Sequence, residues 1–388
     1  MRSVELFAGA GGLAIGMSNA GFRHAAVIEW NHDACDTFRE NQERHTRFEW
    51  PVFEGDVRKF NYNTLRGGAV VVSGGPPCQP FSLGGRHRGY TDERDMFPEA
   101  VRAVRELQPK AFIFENVKGL MRETFSTYFE YIFLQLSHPF LGRRTPESWR
   151  EHRARLEKHH TSKHTRSDYN VVYRLLNAAD YGVPQRRERV FLVGFRSDLA
   201  VEWSFPEPRF SEDALFRSKW ITGEYWEIWN VHRRERSRPS GRLAARVEKQ
   251  RQADCFDGKL PWITVRQAIG DLPDPEKCPK NGVPNHTFNP GARTYPGHTG
   301  SPFDEPAKTL KAGDHGVPGG ENMLARPDGS VRYFTVREAA RLQTFPDSYT
   351  FRGAWTEAMR QLGNAVPVRL AEVVARSVAR TLVAAGCG

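Results

Sequence analysis

At 388 residues the chain is longer than one ordinary domain and long enough for a substantial core, so two domains are expected. Its formal charge of +10 points to a polyanionic partner, nucleic acid first, and says nothing of fold. Cys35, Cys78, Cys255, Cys278 and Cys387 show no paired metal-ligand spacing and fit a reducing compartment; with no apolar run near about twenty residues and an opening Met1-Arg2-Ser3-Val4-Glu5, neither a secretory signal nor a membrane span is expected, which places the protein in the cytoplasm.

In chain order, Val4-Glu5-Leu6-Phe7 reads as a short strand. Ala8-Gly9-Ala10-Gly11-Gly12-Leu13 is then a glycine turn, and a helix runs from about Gly12 to Asn19, closed by Gly21. Glycines there let a ligand approach the backbone. A second strand, His24 to Ile28, ends in Glu29-Trp30, where a carboxylate can bind ribose hydroxyls and an indole can face an adenine. Phe53-Glu54-Gly55-Asp56-Val57 closes a third unit, and Asp56 could take an adenine amino group. The spacing of Gly9, Gly11 and Ala14 also satisfies the loose dinucleotide pattern, which by itself allows a nicotinamide enzyme.

The β-branched run Ala69-Val70-Val71-Val72 predicts a buried strand feeding Gly74-Gly75-Pro76-Pro77-Cys78-Gln79-Pro80-Phe81-Ser82. Open α/β sheets keep their chemistry at such carboxyl ends. Prolines on both sides restrict the backbone around Cys78, which suits a presented thiol nucleophile, and a hydride-transfer enzyme needs no such loop. Leu83 to Tyr90 mixes glycine with cations, as a lid over nucleic acid or a merely solvated loop would. A helix from Glu99 to Leu107 leads to the strand Ala111-Phe112-Ile113-Phe114, ending in Glu115-Asn116-Val117. Glu115 therefore falls at the same sheet edge, as a helix cap or as a general acid.

Between Leu136 and Asp168 lies a charged stretch with His152, His159, His160 and His164, read as an inserted, solvated helical hairpin in preference to a DNA-backbone contact. Irregular histidine spacing without cysteines argues against metal, and none is assigned. From about Val201 to Arg332 prolines and glycines multiply around Trp220, Trp226, Trp229, Trp262 and the basic run 233–238, which marks a second domain. His315 to Asn322 is a turn-rich loop, and Val368 to Ala385 is an amphipathic helix pattern.

Taken together, six stretches resemble, in order, the motifs of the DNA cytosine-5 methyltransferase family of the bacterial restriction-modification type. They are Phe7 to Leu13, Gly75 to Ser82, Glu115-Asn116-Val117, Gln185-Arg186-Arg187-Glu188-Arg189, Arg337 to Gln343, and Gly363-Asn364-Ala365-Val366-Pro367. The resemblance implies an α/β class, with a Rossmann-like S-adenosylmethionine-dependent methyltransferase sheet and a smaller inserted target-recognition domain. Residues 1–200 plus 331–388 would form the catalytic domain, and 201–330 would read DNA. It implies Cys78 as the thiolate that adds to C6 of cytosine, Glu115 as the acid at N3, and Arg187 and Arg189 as groups orienting that carboxyl and the base carbonyl. S-adenosylmethionine would be held by Phe7, Gly9, Ala10, Gly12, Leu13, Glu29, Trp30, Asp56, Val57, Pro77, Asn364 and Ala365. DNA would meet Ser82, Gln185 (which could instead reach the active-site loop) and, within the Thr309-Leu310 dipeptide, Thr309. The target base would have to leave the stack, which gives the positive charge a purpose. A monomer on duplex DNA, nucleoid-associated when bound, is expected, with room for a cognate restriction endonuclease sharing its site. A transfer-RNA cytosine methyltransferase and a catalytically silent DNA-binding homologue are the alternatives.

Overall fold

The computed structural model describes all residues except 66, 78–94, 163–165, 253–256, 281, 297–298, 313–321 and 388. Cys78, Ser82, the loop Leu83 to Tyr90, Cys255, His164 and the loop 315–321 therefore lie outside the described residues. Among those described, the chain forms two compact units: 1–176, 188–206 and 371–388 make the first, and 177–187 with 207–370 the second. The second unit takes in 331–370, which the resemblance assigns to the catalytic domain, so packing and motif assignment divide the chain differently.

The first unit begins with β1 (Arg2–Leu6), α1 (Gly12–Asn19), β2 (Arg23–Glu29), α2 (His32–Arg44), β3 (Val52–Glu54), β4 (Val71–Gly74), α3 (Phe97–Leu107) and β5 (Ala111–Val117). It continues through α4 (Ser126–Ser137), α5 (Trp149–His160), β6 (Tyr169–Asn177) and β7 (Glu188–Arg196). Its seven-stranded sheet has the order β3-β2-β1-β4-β5-β7-β6. β3, β2, β1, β4 and β5 pair in parallel, and β7 is antiparallel to β5. Every residue of β4 is buried, as are the first six of β5, because parallel strands are covered on both faces. Glycine is required twice in this packing. A Cβ on Gly74 would stand 2.5 Å from the Leu6 carbonyl of the paired β1, and one on Gly194 would stand 2.2 Å from the Phe112 ring across the β5–β7 pair.

The charged insertion forms a helix, α5, that is largely open to solvent and anchored by buried His152 and Leu156. Ser148 and Glu151 form a capping box that starts α5. Buried His152 donates from Nε2 to the Leu141 carbonyl at 2.6 Å and accepts from the Tyr131 hydroxyl of α4 at Nδ1, 2.8 Å away. His138 Nε2 meets His160 Nδ1 at 2.9 Å. His138 and His152 are thus packed inside, and among the described residues no group of three or more His, Cys, Asp or Glu could hold a metal ion.

The second unit contains β8 (Phe210–Ser211), α6 (Glu212–Trp220), α7 (Glu224–Ile228), α8 (Arg242–Gln252), β9 (Leu260–Pro261), α9 (Val265–Ile269), β10 (Ser301–Pro302), β11 (Met323–Ala325), β12 (Val331–Tyr333), α10 (Val336–Leu342) and α11 (Trp355–Asn364). Leu215, Tyr225, Trp226, Val231 and Trp262 build a core here, so two of the tryptophans noted in the sequence are structural; Trp229 remains 38% exposed. The last helix, α12 (Val368–Ala384), has most of its length in the first unit. There Asn19 at the end of α1 donates to Glu372 at 3.2 Å, and Trp203 Nε1 donates to Ser377 Oγ at 3.0 Å. No helix among the described residues is long and apolar enough to cross a membrane.

Substituting Gly194→Ala should lower the urea midpoint of the first unit by an amount equivalent to about 1–3 kcal/mol, because the methyl must displace a buried phenylalanine ring. Chemical denaturation followed by tryptophan fluorescence measures it.

Candidate active site

The first unit gathers a set of polar groups at the carboxyl ends of its parallel strands. After β1 the chain turns sharply: Phe7 has φ 55°, Gly9 φ 55° and Gly11 φ 84°, all in the left-handed region. A non-glycine residue there is strained by roughly 1–3 kcal/mol and is held by its surroundings. Phe7 is held by packing on the core, and Ala8 N–H bonds to the Ile28 carbonyl at 3.2 Å. A Cβ on Gly9 would meet nothing within 4 Å, so its glycine answers to backbone conformation and leaves open space beside it. Ala10, Gly12 and Leu13 are buried as the turn enters α1.

Glu29, at the end of β2, is buried and accepts from three backbone amides: Gly9 at 2.7 Å, Trp30 at 2.9 Å and Asn31 at 2.8 Å. One carboxylate therefore ties the glycine turn to the second strand. Trp30 follows with its side chain 75% exposed. Asp56 caps a 3₁₀ turn opened by buried Val57, and the Arg58 guanidinium holds its carboxyl below the usual range. Arg102 of α3 fixes this turn by donating to the Val57 carbonyl at 2.8 Å.

After β4, a Cβ on Gly75 would lie 3.2 Å from Glu115 Oε2, so this glycine lets the backbone pass beside the carboxylate. Buried Asn116 donates to the Pro76 carbonyl at 2.9 Å and accepts from the Val117 amide at 2.9 Å. The Pro77 carbonyl accepts from Met96 N–H at 3.3 Å, so the chain leaves for Cys78 and returns at Asp95-Met96 at one place. Arg189 Nε lies 2.7 Å from Glu115 Oε1, with both side chains largely covered. Burial pulls the Arg189 guanidinium down from its ordinary value against the opposing pull of Glu115. A planar cation at this distance fixes the carboxyl in orientation.

The second unit holds the remaining predicted residues. Arg187 is fully buried, donating to the Leu310 carbonyl at 3.0 Å and the Gly363 carbonyl at 2.6 Å. These bonds differ from the orienting role implied for it beside Glu115. Gln185 is equally buried, donating to the Leu342 carbonyl at 3.3 Å and accepting from Leu310 N–H at 3.1 Å. Thr309 donates to the Arg186 carbonyl at 2.7 Å, within a bridge that pairs 184–187 with 307–310. Asn364 is exposed at the end of α11, and Ala365 is buried just beyond it. A Cβ on Gly363 would stand 2.3 Å from the Ala312 amide, so the backbone of 311–312 needs glycine there.

The chain matches the family model described as C-5 cytosine-specific DNA methylase over residues 1–138 and 150–380. It belongs to that family. The Type II methyltransferase M.NgoMIV of Neisseria gonorrhoeae is 31% identical, with 98% of this chain and 97% of that protein aligned. M.Eco47II of Escherichia coli is 32% identical over 98% of this chain and 79% of its own length. Two solved structures share the fold. A putative DNA modification methyltransferase from an E. coli prophage gives a TM-score of 0.54 at 23% identity, covering 99% of each chain. A Spodoptera frugiperda DNMT2 mutant gives 0.57 at 15% identity, covering 98% of this chain and 99% of that one. The protein is thus a DNA cytosine-5 methyltransferase that uses S-adenosylmethionine, and the transfer-RNA alternative gives way to DNA. The unmatched stretch 139–149 falls inside the insertion read from the sequence.

Within this family member, sequence reasoning missed the residues that hold the loops. Asn116 was visible only as part of a motif. Asn322 exchanges two 3.0 Å bonds with the Lys311 backbone. Arg337 donates to the carbonyls of Pro284, Pro346 and Tyr349. Glu338 completes a capping box with Thr335 and pairs with Arg332 at 2.6 Å. The signal available was charged or amide residues at positions where burial is costly unless their bonds are satisfied.

Arg187→Ala should destabilise the second unit by about 1–3 kcal/mol for each orphaned carbonyl, and Arg187→Lys should recover only part of this because it cannot span both acceptors. Calorimetric unfolding of the two variants reads the effect.

Proposed function

We propose that this methyltransferase acts on a cytosine turned out of a specific duplex DNA sequence, through a covalent bond between Cys78 Sγ and C6 of the base. The observation that supports this reading most is the Glu115–Arg189 contact at 2.7 Å beside Gly75 and Pro76, three and two residues before Cys78 in the chain. Cytosine C5 is a weak nucleophile, and thiolate addition at C6 moves electron density onto C5. Glu115 answers the charge that develops at N3, by donating a proton or a strong hydrogen bond, and Arg189 keeps its carboxyl aimed. Once C5 carries the transferred methyl group, loss of the C5 proton to a base and departure of the Cys78 sulfur as thiolate restore the aromatic ring.

The residues present suit the methyl donor. Open space beside Gly9, the exposed Trp30 ring and the carboxylates of Glu29 and Asp56 offer a backbone shelf, an aromatic face and acceptors for hydroxyl or amino groups. Phe7, Ala10, Gly12, Leu13, Val57 and Pro77 would line the same place. When bound, S-adenosylmethionine supplies an electrophilic methyl group. Glu29 has three of its acceptor positions engaged by the loop, so it shapes the shelf as well as meeting the ligand.

Residues 201–330 read the sequence, with Ser82 and Thr309 near the DNA backbone. Arg187 and Gln185 support the Thr309-Leu310 segment from within. A cytoplasmic enzyme acting as a monomer on nucleoid DNA follows from that substrate, and a restriction endonuclease of the same specificity is the partner that relatives of this type suggest.

Duplex DNA containing 5-fluorocytosine, whose C5 substituent cannot leave as a proton, should trap the protein in a methyl-dependent adduct that survives denaturing electrophoresis. Cys78→Ser should give no adduct, and a silent homologue would give none with the unaltered protein. Glu115→Gln should lower kcat by about 10²–10⁴-fold in single-turnover methyl transfer while leaving donor affinity nearly unchanged.

A further inference from the structure

The chain leaves toward Cys78 at Pro77 and comes back at Asp95, and the side chains that meet Asp95 have none of the roles given above. Its carboxylate is engaged on both oxygens. Oδ1 accepts from the Phe97 N–H at 3.2 Å, and Oδ2 accepts from the Tyr128 hydroxyl of α4. The first bond stands in for a cap, because α3 opens after Met96, whose side chain makes no capping bond. Beside it, Met96 N–H reaches the Pro77 carbonyl at 3.3 Å. Both ends of the segment that starts at Cys78 are therefore tied to one spot, and Tyr128 ties that spot to α4. A buried phenol needs such a partner, and Tyr128 is only 6% exposed. Its ring is walled in turn by the insertion. Tyr128 and Tyr131 lie three apart on α4 and share a face, with ring centroids 6.2 Å apart. Trp149, the first residue of α5, stands edge-on to Tyr128 at 6.3 Å and lies 5.7 Å from Tyr131. The Tyr131 hydroxyl meets His152, whose other nitrogen bonds the Leu141 carbonyl. Leu141 and Trp149 fall in 139–149, so this wall stands on residues outside the matched family pattern.

We propose that Tyr128 is a positioning residue for methyl transfer and that the insertion braces it: the packed rings hold the phenol, the phenol holds Asp95, and Asp95 sets where the chain re-enters α3 after Cys78. This rests on the reading that Cys78 is the nucleophile. A thiol attacking a ring carbon must approach within about 3–3.5 Å on the right line, and a misplacement of about 1 Å costs roughly 10²-fold in rate. The exit side is stiff already, since Pro76 and Pro77 restrict the backbone and Asn116 donates to the Pro76 carbonyl. The return side differs. Residues 83–96 include Gly84, Gly85 and Gly89 and no proline, so side-chain bonds must fix its end. The glycine turn after β1 has its own ties through Glu29 to Gly9, Trp30 and Asn31. Loosening Asp95 therefore reaches the chemical step and leaves donor binding alone.

Single-turnover methyl transfer from tritiated S-adenosylmethionine to an unmethylated plasmid tests this on the full chain and on Tyr128→Phe, Asp95→Ala, Asp95→Asn and Trp149→Ala. Calorimetry without DNA gives the donor dissociation constant of each. Tyr128→Phe keeps the ring and loses only the hydroxyl, so the donor constant should stay nearly unchanged while the rate falls about 10- to 100-fold. Asp95→Ala should do the same. Combining it with Tyr128→Phe should be no slower than Asp95→Ala alone, because both changes remove one contact. Asp95→Asn keeps an acceptor for the phenol and should recover most of the rate, and Trp149→Ala should slow transfer by a smaller factor than Tyr128→Phe. An unchanged rate in Tyr128→Phe overturns the proposal, as do effects that multiply in the double variant. A donor constant that weakens as much as the rate falls marks a general loss of structure and overturns it too, and a fully active Trp149→Ala removes the share given to the insertion. Methyl transfer retained in Cys78→Ser is a separate failure, that of the nucleophile reading.

Discussion

The parallel pairing of β1 with β4 is the constraint on which the rest of the first unit depends. The chain proceeds from β1 to β2 and β3 on one side and resumes at β4 and β5 on the other, so strand order reverses between β1 and β4. Loops leaving adjacent strands at such a reversal diverge and open a crevice at the carboxyl ends. The glycine turn follows β1, Pro76-Pro77 follows β4, and Glu115 closes β5 on the same edge. The pairing is tight enough that only glycine fits at position 74 against the Leu6 carbonyl.

Around this crevice, irregular backbone is held by buried side chains instead of a strand ladder. Glu29 satisfies amides of the glycine turn and of 30–31, and Asn116 fixes the Pro76 carbonyl. In the second unit Arg187, Gln185, Asn322 and Arg337 do the same for carbonyls and amides that would otherwise be buried without partners. A buried backbone group left unpaired costs about as much as a lost hydrogen bond, so each such side chain stabilises one loop shape over others. Some of the residues in the motifs also give this support. Gln185 and Arg187 bond backbone groups of their own unit in this way.

Chemistry and support are hard to separate in a sequence because both select polar residues in loops. The strands and helices of the first half were legible: α1 spans Gly12–Asn19 as the glycine punctuation predicts, and β5 carries Glu115 at its carboxyl end. Hydrophobic periodicity reports local geometry, and these elements are local. The insertion forms the helix expected of it and stays largely open to solvent, but the sequence did not show that His152 is buried with both imidazole nitrogens hydrogen-bonded. Neutral histidine can enter a core when both nitrogens find partners, and no pattern in the sequence announces that they will.

The sequence by itself determined the order of motifs, the residue types that cytosine methylation requires and the places where only glycine or proline would serve. These follow from covalent order and intrinsic conformational limits, which every chain carries with it. The tertiary structure alone decided that Arg189 is the arginine in contact with Glu115 while Arg187 braces Leu310 and Gly363, and that a buried Glu5 faces Ser73. Those outcomes depend on which groups meet after residues tens to more than a hundred apart are brought together. Burial then fixes both the partners and the charge of each group, and neither is a property of the residue alone.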